Sequence, residues 1–164
     1  MILRSALADR LIPPISAETG SGSCDALAMA TLADLAQEEF VSLTTYRRSG
    51  AAVSVPVWIA PATDASGGLL VTTTAPSGKV KRLRHDRRVQ LRPCDRRGAV
   101  AADAPAVSAQ ADIVRAAGDV RRLREMIRAK YGSRMKITAA DQGVLDPAEP
   151  VRVILRIIAS DINP

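Results

Sequence analysis

Aromatic side chains are scarce in this sequence: they make up 2% of its 164 residues, with one Trp, two Tyr and one Phe. Proteins that hold single-stranded nucleic acid usually stack its bases on aromatic rings, so this scarcity disfavours that class of ligand. Because 47% of the residues are hydrophobic, the core must be built from aliphatic side chains. The length predicts one compact domain with little room for a second.

Cysteine and histidine are also rare, and long apolar runs are missing. Cys24 and Cys94 lie far apart in the sequence, and His85 is the single histidine. Zinc sites need closely spaced Cys and His ligands, so no metal site is predicted. Two distant cysteines are typical of a reduced chain. No apolar run approaches the ~20 residues of a membrane span, and Pro13 and Pro14 interrupt the apolar N-terminal stretch. The sequence therefore predicts a cytoplasmic protein without a membrane segment.

Positive charge is present in excess, with a net charge of +6 at pH 7. Such a surplus attracts anions, among them nucleic acid, anionic lipid and phosphorylated small molecules. None of the familiar nucleic-acid recognition motifs appears in the sequence, so we expect no nucleic-acid partner.

Residues 1–28 differ in character from the rest of the chain. Pro13 and Pro14 are followed at 16–23 by a run rich in Ser and Gly, which is linker chemistry without periodicity. Met29 stands where the organised pattern begins. We expect residues 1–28 to be either a flexible tail or the product of a start site assigned too far upstream, and 29–164 to form the domain.

From residue 31 onward, hydrophobic periodicity predicts six strands and three helices. The strands are predicted at 40–46, 52–60, 69–74, 89–94, 107–113 and 151–158, and the helices at 32–39, 79–85 and 119–131. The first three strands follow one another through short turns, which predicts a meander. Pro56 removes one ladder hydrogen bond, so its strand is predicted at an edge or a bulge. Mostly consecutive strands indicate a mainly β (α+β) fold, an antiparallel barrel with helices packed outside it.

The most informative segment joins the third strand to the second helix. The N-terminus of a helix attracts anions through its free N–H groups and its dipole. Ser77 can cap this helix or donate its hydroxyl, and Gly78 lets a ligand approach the backbone closely. Lys79 and Arg82 share one helix face, and Lys81 on its flank can reach the same anion. The pattern favours a site for a phosphomonoester.

Other interpretations of this segment remain open at the level of residue pattern. It is not a nucleoside-triphosphate loop, because Val80 stands where that motif needs Ser or Thr. A helix rich in Lys and Arg is more often a solvated surface than a binding site. The sequence has no evident nucleophile–base pair, so no catalytic side chain is predicted.

The runs 40–50, 55–58, 77–83 and 93–98 strongly resemble the pyridoxamine-phosphate-oxidase-like split-barrel proteins. Within that family they resemble the actinobacterial branch of F420-dependent oxidoreductases. The resemblance implies a homodimer of six-stranded FMN-binding split barrels, with two cofactors bound in grooves at the subunit interface. It also implies which residues contact each part of the cofactor. The ring lies along Val55, Pro56 and Val57, and Thr72 and Thr73 face the ring or its ribityl chain. The phosphate is surrounded by Ser77, Gly78, Lys79, Lys81 and Arg82.

One departure from the family pattern bears on the reaction. Oxidases of pyridoxamine phosphate have a basic residue early in the second strand and a characteristic C-terminal segment, whereas this strand reads Val53-Ser54-Val55 and the last strand ends close to Pro164. We therefore expect hydride transfer between the deazaflavin coenzyme F420 and a small-molecule substrate that the sequence does not identify. An FMN-binding oxidoreductase is the alternative, as is a non-catalytic carrier of a flavin or a tetrapyrrole.

Overall fold

A curled antiparallel sheet with flanking helices organises the part of the chain that the computed structural model describes, residues 31–65, 67–134 and 150–160. The strands are β1 (Phe40–Tyr46), β2 (Ala52–Trp58), β3 (Ala60–Pro61), β4 (Leu69–Thr74), β5 (Arg88–Pro93), β6 (Val107–Val114) and β7 (Arg152–Ala159). The helices are α1 (Leu32–Leu35), α2 (Gly78–Leu83) and α3 (Ala117–Tyr131), with a 3₁₀ turn at Gly132–Arg134. The expectations for residues 1–28 lie outside the described residues.

The predicted fold class is confirmed, but the predicted number of six strands was wrong because the sheet has seven. The predicted strand at 52–60 divides into β2 and the two-residue β3. The division falls at Ile59, whose backbone N–H donates to the Tyr131 hydroxyl at 2.9 Å and whose carbonyl accepts from Lys130 Nζ at 2.8 Å. Side chains of α3 therefore take the place of ladder partners at this residue.

The strand order is β2-β1-β5-β6-β7-β4-β3, and each neighbouring pair is antiparallel. β2 is an edge strand, which confirms the position predicted from Pro56. The predicted meander of the first three strands holds only in part: β1 pairs with β2, and β3 pairs with β4, but β2 does not pair with β4, whose other neighbour is β7. The sheet curls so that β2 and β4 approach each other, which gives the half-barrel shape of a split barrel.

Strand alternation divides the apolar residues between the two faces of the sheet. The inner face of the curl encloses the main core, to which α2 contributes Val80 and Leu83. On the outer face, α3 covers β4 and β7 with a stripe at helical spacing, formed by Val120, Leu123 and Ile127. No helix within the described ranges is long and apolar enough to cross a membrane.

Candidate functional site

Helix α2 is fixed at the rim of the main core by its two apolar residues. Val80 is fully buried and Leu83 is 2% exposed, as the sequence pattern predicts. The lysines of this helix lie at the surface of the core: Lys79 is half-buried and Lys81 is exposed. Ser77 occupies the N-cap position, but its side chain makes no capping hydrogen bond.

The hydroxyl of Ser77 instead belongs to a small polar network at the end of β4. Lys79 Nζ donates to Thr73 Oγ1 at 3.1 Å, and Thr73 Oγ1 donates to Ser77 Oγ at 3.2 Å. Thr73 is itself buried, with 7% of its surface exposed. The ammonium group of Lys79 is therefore held in place by a neutral acceptor that leaves its charge uncompensated.

Arg82 is held in the same way by a second strand. Its Nε donates to the fully buried Thr45 Oγ1 of β1 at 2.8 Å. The guanidinium folds back over the start of α2, where a Cβ on Gly78 would lie 3.0 Å from Arg82 Nη1. Glycine at position 78 therefore leaves room for the Arg82 side chain in this position.

The positive charges of this site lower one another's pKa values. Burial lowers the pKa of Lys79, and the nearby charge of Arg82 lowers it further. Burial also lowers the pKa of Arg82, and so does the charge of Arg47. Within the described residues, no carboxylate lies within ion-pair distance of these three cations, which we call the cation cluster (Arg47, Lys79 and Arg82). A bound anion would relieve this repulsion and accept charge-assisted hydrogen bonds.

The structure brings part of the predicted site together. Ser77, Gly78, Lys79 and Arg82 meet at the start of α2, and Thr73 joins them from β4. Lys81 is exposed and makes none of these contacts.

Thr72 and Thr73 lie on opposite faces of the sheet, since neighbouring strand residues alternate. Thr73 is in register with Val153 of the main core, whereas Thr72 is in register with Ile154 beneath α3. The buried Oγ1 of Thr72 has no hydrogen-bond partner in the described part of the chain.

The predicted ring-binding residues of β2 are likewise divided between the two faces. Val55 and Val57 are half-buried and alternate with the exposed Pro56. Pro56 lies on the outer face, where a Cβ on Gly98 would lie 3.2 Å from its Cδ. Val55 is two residues along β2 from Val53, whose carbonyl accepts from Thr45 Oγ1 at 3.4 Å. The polar network therefore reaches the backbone of β2 close to Val55.

Thr45 and Arg47 are the site residues that the sequence-based prediction missed. A signal for Thr45 was available, because it continues the inward alternation of Val41 and Leu43 and is therefore a polar residue at a core position. The described residues contain no group of His, Cys, Asp and Glu side chains that could hold a metal ion. The chemistry of the site is thus that of ammonium, guanidinium and hydroxyl groups.

Residues 28–163 match the family model of pyridoxamine 5'-phosphate oxidase. The chain belongs to this family. No curated protein matches it in sequence.

Among solved structures, the fold is similar to that of a conserved hypothetical protein from Mycobacterium tuberculosis, with a TM-score of 0.55 and 23% identity over 78% of this chain and 77% of the other. It is also similar to the heme storage protein of Vibrio cholerae, with a TM-score of 0.51 and 15% identity over 76% and 84% of the two chains. A third similar structure is a FAD-binding protein from Mesorhizobium loti, with a TM-score of 0.50 and 16% identity over 77% of this chain and 85% of the other. These likenesses show the fold.

Proposed function

We propose that this chain is an oxidoreductase that binds a flavin-type cofactor, with the deazaflavin coenzyme F420 as the leading candidate, and exchanges hydride with a small-molecule substrate. The observation on which the proposal rests is the cation cluster, in which Lys79 and Arg82 are positioned by Thr73 and Thr45 without a carboxylate partner. Membership of the pyridoxamine 5'-phosphate oxidase family supports the same assignment.

The donor set fits the phosphate of such a cofactor. Lys79 and Arg82 supply charged N–H donors, and the hydroxyl of Ser77 lies beside them. Gly78 leaves room for the Arg82 guanidinium to lie over the helix start, where it can contact a bound phosphate. The cofactor, when bound, supplies the hydride chemistry at its ring. The residues of this chain bind and orient it, and we assign no side chain as an acid or base.

The charge balance favours F420 over FMN. Both share a ring, a ribityl chain and a phosphate, but F420 also has a polyglutamate tail whose carboxylates suit a chain of net charge +6. Oxidation of pyridoxamine phosphate is not proposed, because β2 contains no basic residue. The second candidate, which the experiment below separates from the first, is a non-catalytic carrier of a flavin or a tetrapyrrole.

We also propose that the chain is a cytoplasmic homodimer. α3 covers the outer face at β4 and β7, whereas no helix of the described residues packs on the outer face of β1, β2 and β5. Exposed Ser54 and Pro56 lie on this face, which is free of helices in the described part of the chain. A second copy of the chain is the proposed occupant.

The test is a titration of the purified protein with F420 and with FMN, followed by cofactor fluorescence. We expect micromolar binding, with F420 bound more tightly than FMN. Lys79→Ala removes a charge-assisted hydrogen bond, so the affinity for both should fall by about tenfold to a hundredfold. Lys81→Ala is the matched control, since Lys81 is an exposed lysine of the same helix, and its affinity should stay unchanged.

Binding of neither cofactor would contradict the proposal. Equal losses in Lys79→Ala and Lys81→Ala would remove the cation cluster as its basis. Oxidation of bound, reduced cofactor by test enones or quinones separates an enzyme from a carrier, because a carrier binds the cofactor without turnover.

A further inference from the structure

Thr45 is a fully buried polar residue at a position where the strand pattern favours an apolar side chain. It follows Val41 and Leu43 on the inner face of β1, and like both of them it is 0% exposed. A hydroxyl in an apolar core costs free energy unless its hydrogen-bonding capacity is used. The partners of Thr45 therefore bear directly on its role.

The directions of the two hydrogen bonds of Thr45 follow from the chemistry of its partners. The Val53 carbonyl can only accept, so the Thr45 hydroxyl donates to it, with an Oγ1–O distance of 3.4 Å. A guanidinium can only donate, so Arg82 Nε donates to Thr45 Oγ1 at 2.8 Å. One buried hydroxyl thus joins the backbone of β2 to a side chain of α2.

The bond at Nε determines which edge of the Arg82 guanidinium remains open. The group is planar and rigid, so holding its Nε–H restricts the directions of the N–H bonds on Nη1 and Nη2. These two nitrogens make no hydrogen bond within the described ranges. Nη1 lies over the start of α2, 3.0 Å from where a Cβ on Gly78 would stand. The open edge is therefore the one at the helix start.

Charge alone would not keep Arg82 in this position. Arg47 and Lys79 have the same sign as Arg82, and each is close enough to interact with its charge. Arg82 is also only half-buried, so its long side chain could turn toward solvent and away from both. The hydrogen bond to Thr45 opposes this movement and holds the guanidinium ready for a ligand before the ligand arrives.

We propose that Thr45 is a positioning residue, which makes the site select a phosphorylated cofactor over an unphosphorylated one. Its hydroxyl directs the Nη groups of Arg82 toward the phosphate without touching the ligand itself. Thr73 has the same arrangement at the other cation, since it accepts from Lys79 and donates to Ser77 Oγ. The inference rests on the proposed function, because the anion for which Arg82 is positioned is the phosphate of the cofactor.

FMN and riboflavin share a ring and a ribityl chain and differ in the phosphate, so titration of the full chain with both isolates the phosphate. Thr45→Val keeps the shape of the side chain and removes the hydroxyl. We expect this variant to bind FMN about fivefold to thirtyfold more weakly and to bind riboflavin within about twofold of the wild type. Thr45→Ser keeps the hydroxyl and should restore most of the FMN affinity.

Thr44→Val is the matched control. Thr44 is the preceding residue of β1 and is also buried, at 9% exposed, but it lies on the opposite face of the sheet. Its Oγ1 shares a hydrogen bond with Ser54 Oγ at 2.8 Å. Each valine variant loses one buried hydroxyl, so thermal unfolding should show similar losses of stability. Only Thr45→Val should lose FMN affinity.

A double-mutant cycle tests whether Thr45 acts through Arg82. Arg82→Gln alone should weaken FMN binding. Thr45→Val added to Arg82→Gln should cause little further loss, because the group that Thr45 positions is already gone. Fully additive losses would overturn the inference.

The unliganded chain gives a measurement that needs no cofactor. The Nε–H of Arg82 donates to a buried hydroxyl, so its signal in a heteronuclear NMR spectrum should exchange slowly with water in the wild type. In Thr45→Val this protection should be lost. An unprotected Arg82 Nε–H in the wild type would overturn the inference.

Two binding results would also overturn it: a Thr45→Val variant that binds FMN as tightly as the wild type, and one that loses FMN and riboflavin affinity equally. Failure of every cofactor to bind would contradict the proposed function, and inorganic phosphate then becomes the probe. A shift of the protected Arg82 Nε–H signal on adding phosphate would support the positioning role independently of that function. An unchanged signal would overturn the role as well.

Discussion

At the scale of single residues, Lys79 and Arg82 are distinguished by what holds them. Arg88 and Arg134 donate to carboxylates, which neutralise their charge locally. Lys79 and Arg82 donate instead to the threonine hydroxyls Thr73 and Thr45. A hydroxyl acceptor orients a cation without cancelling it, so the positive charge remains available to a ligand.

The lowered pKa of Lys79 predicts how anion binding depends on pH. An anion binds the protonated ammonium, so affinity is present at low pH and is lost as the pH rises through a pKa that burial and Arg82 hold below the usual lysine value. We expect FMN affinity to fall in the alkaline range for the wild type. Lys79→Arg should flatten this profile because its guanidinium keeps its proton.

The measurement is the FMN dissociation constant from about pH 7.5 upward, where the phosphate is already fully ionised. Parallel profiles for the wild type and Lys79→Arg would show that another group is responsible for the loss.

Gly78→Ala separates binding from stability. The new Cβ would lie 3.0 Å from Arg82 Nη1, so the guanidinium must shift by a few tenths of an ångström, and the methyl group would occupy space at the helix start. Alanine also has a higher helix propensity than glycine by up to about 1 kcal/mol. We expect unchanged or slightly higher thermal stability together with weaker FMN binding. Thermal unfolding and fluorescence titration check the two effects, and an unchanged FMN affinity would contradict the role given to Gly78.

How far the site could be predicted depends on how local each contact is. Ser77, Gly78 and Lys79 belong to one short run, and the chemistry of that run is visible in the sequence. Thr45 Oγ1 accepts a hydrogen bond from Arg82 Nε, which lies 37 residues away in the sequence. That pairing depends on β1 and α2 meeting at the rim of the core, which no local pattern specifies.

At the scale of secondary-structure elements, the C-terminal end of α3 fixes the join between β2 and β3. The Tyr131 hydroxyl accepts from the Ile59 N–H at 2.9 Å and lies 2.6 Å from the Ile59 carbonyl oxygen. Its ring stacks on Trp58, with centroids 4.8 Å apart and an interplanar angle of 12°. Lys130 Nζ adds hydrogen bonds to the carbonyls of Ala36 and Ile59, each at 2.8 Å.

Tyr131→Phe tests this join. The variant keeps the ring and loses the hydroxyl, which leaves the buried N–H of Ile59 without its acceptor. We expect the free energy of unfolding to fall by about 1–3 kcal/mol. Tyr46→Phe is the matched control, since the ring of Tyr46 lies beneath Arg88, and it should change stability by less than about 0.5 kcal/mol. Urea unfolding followed by Trp58 fluorescence measures both, and equal losses would contradict this account.

The bounds of most elements follow from alternation and helical spacing, but two features of the sheet do not. The pattern of β2 continues through Ile59, and the interruption there comes from Tyr131, a side chain 72 residues away. The pairing of β4 with β7 likewise joins distant parts of the chain. Local periodicity predicts where the strands lie, but which strands pair with each other depends on how the whole sheet curls.

At the scale of the whole molecule, the two halves of the outer sheet face differ. α3 covers one half with apolar side chains, and the other half presents polar or small residues such as Ser54 and Ser108. The proposed homodimer would bury the second half.

Ser108→Arg tests this arrangement, because it places a long cation on the exposed outer side of β6. We expect light scattering to give twice the mass of the chain for the wild type and a shift toward the monomer for the variant. Ser133→Arg is the matched control, since Ser133 is exposed in the turn after α3, and should remain dimeric. A monomeric wild type, or equal behaviour of the two variants, would contradict the proposed interface.

Proline occupies both edges of the sheet, with Pro56 in β2 and Pro61 in the two-residue β3. A strand edge recruits further strands through its free N–H and C=O groups, and proline removes the donor that such pairing needs. Each edge strand therefore has one backbone donor fewer, which disfavours edge-to-edge aggregation and fibril growth at both ends of the described sheet. The proposed association through sheet faces would therefore meet little competition from open-ended pairing of strand edges.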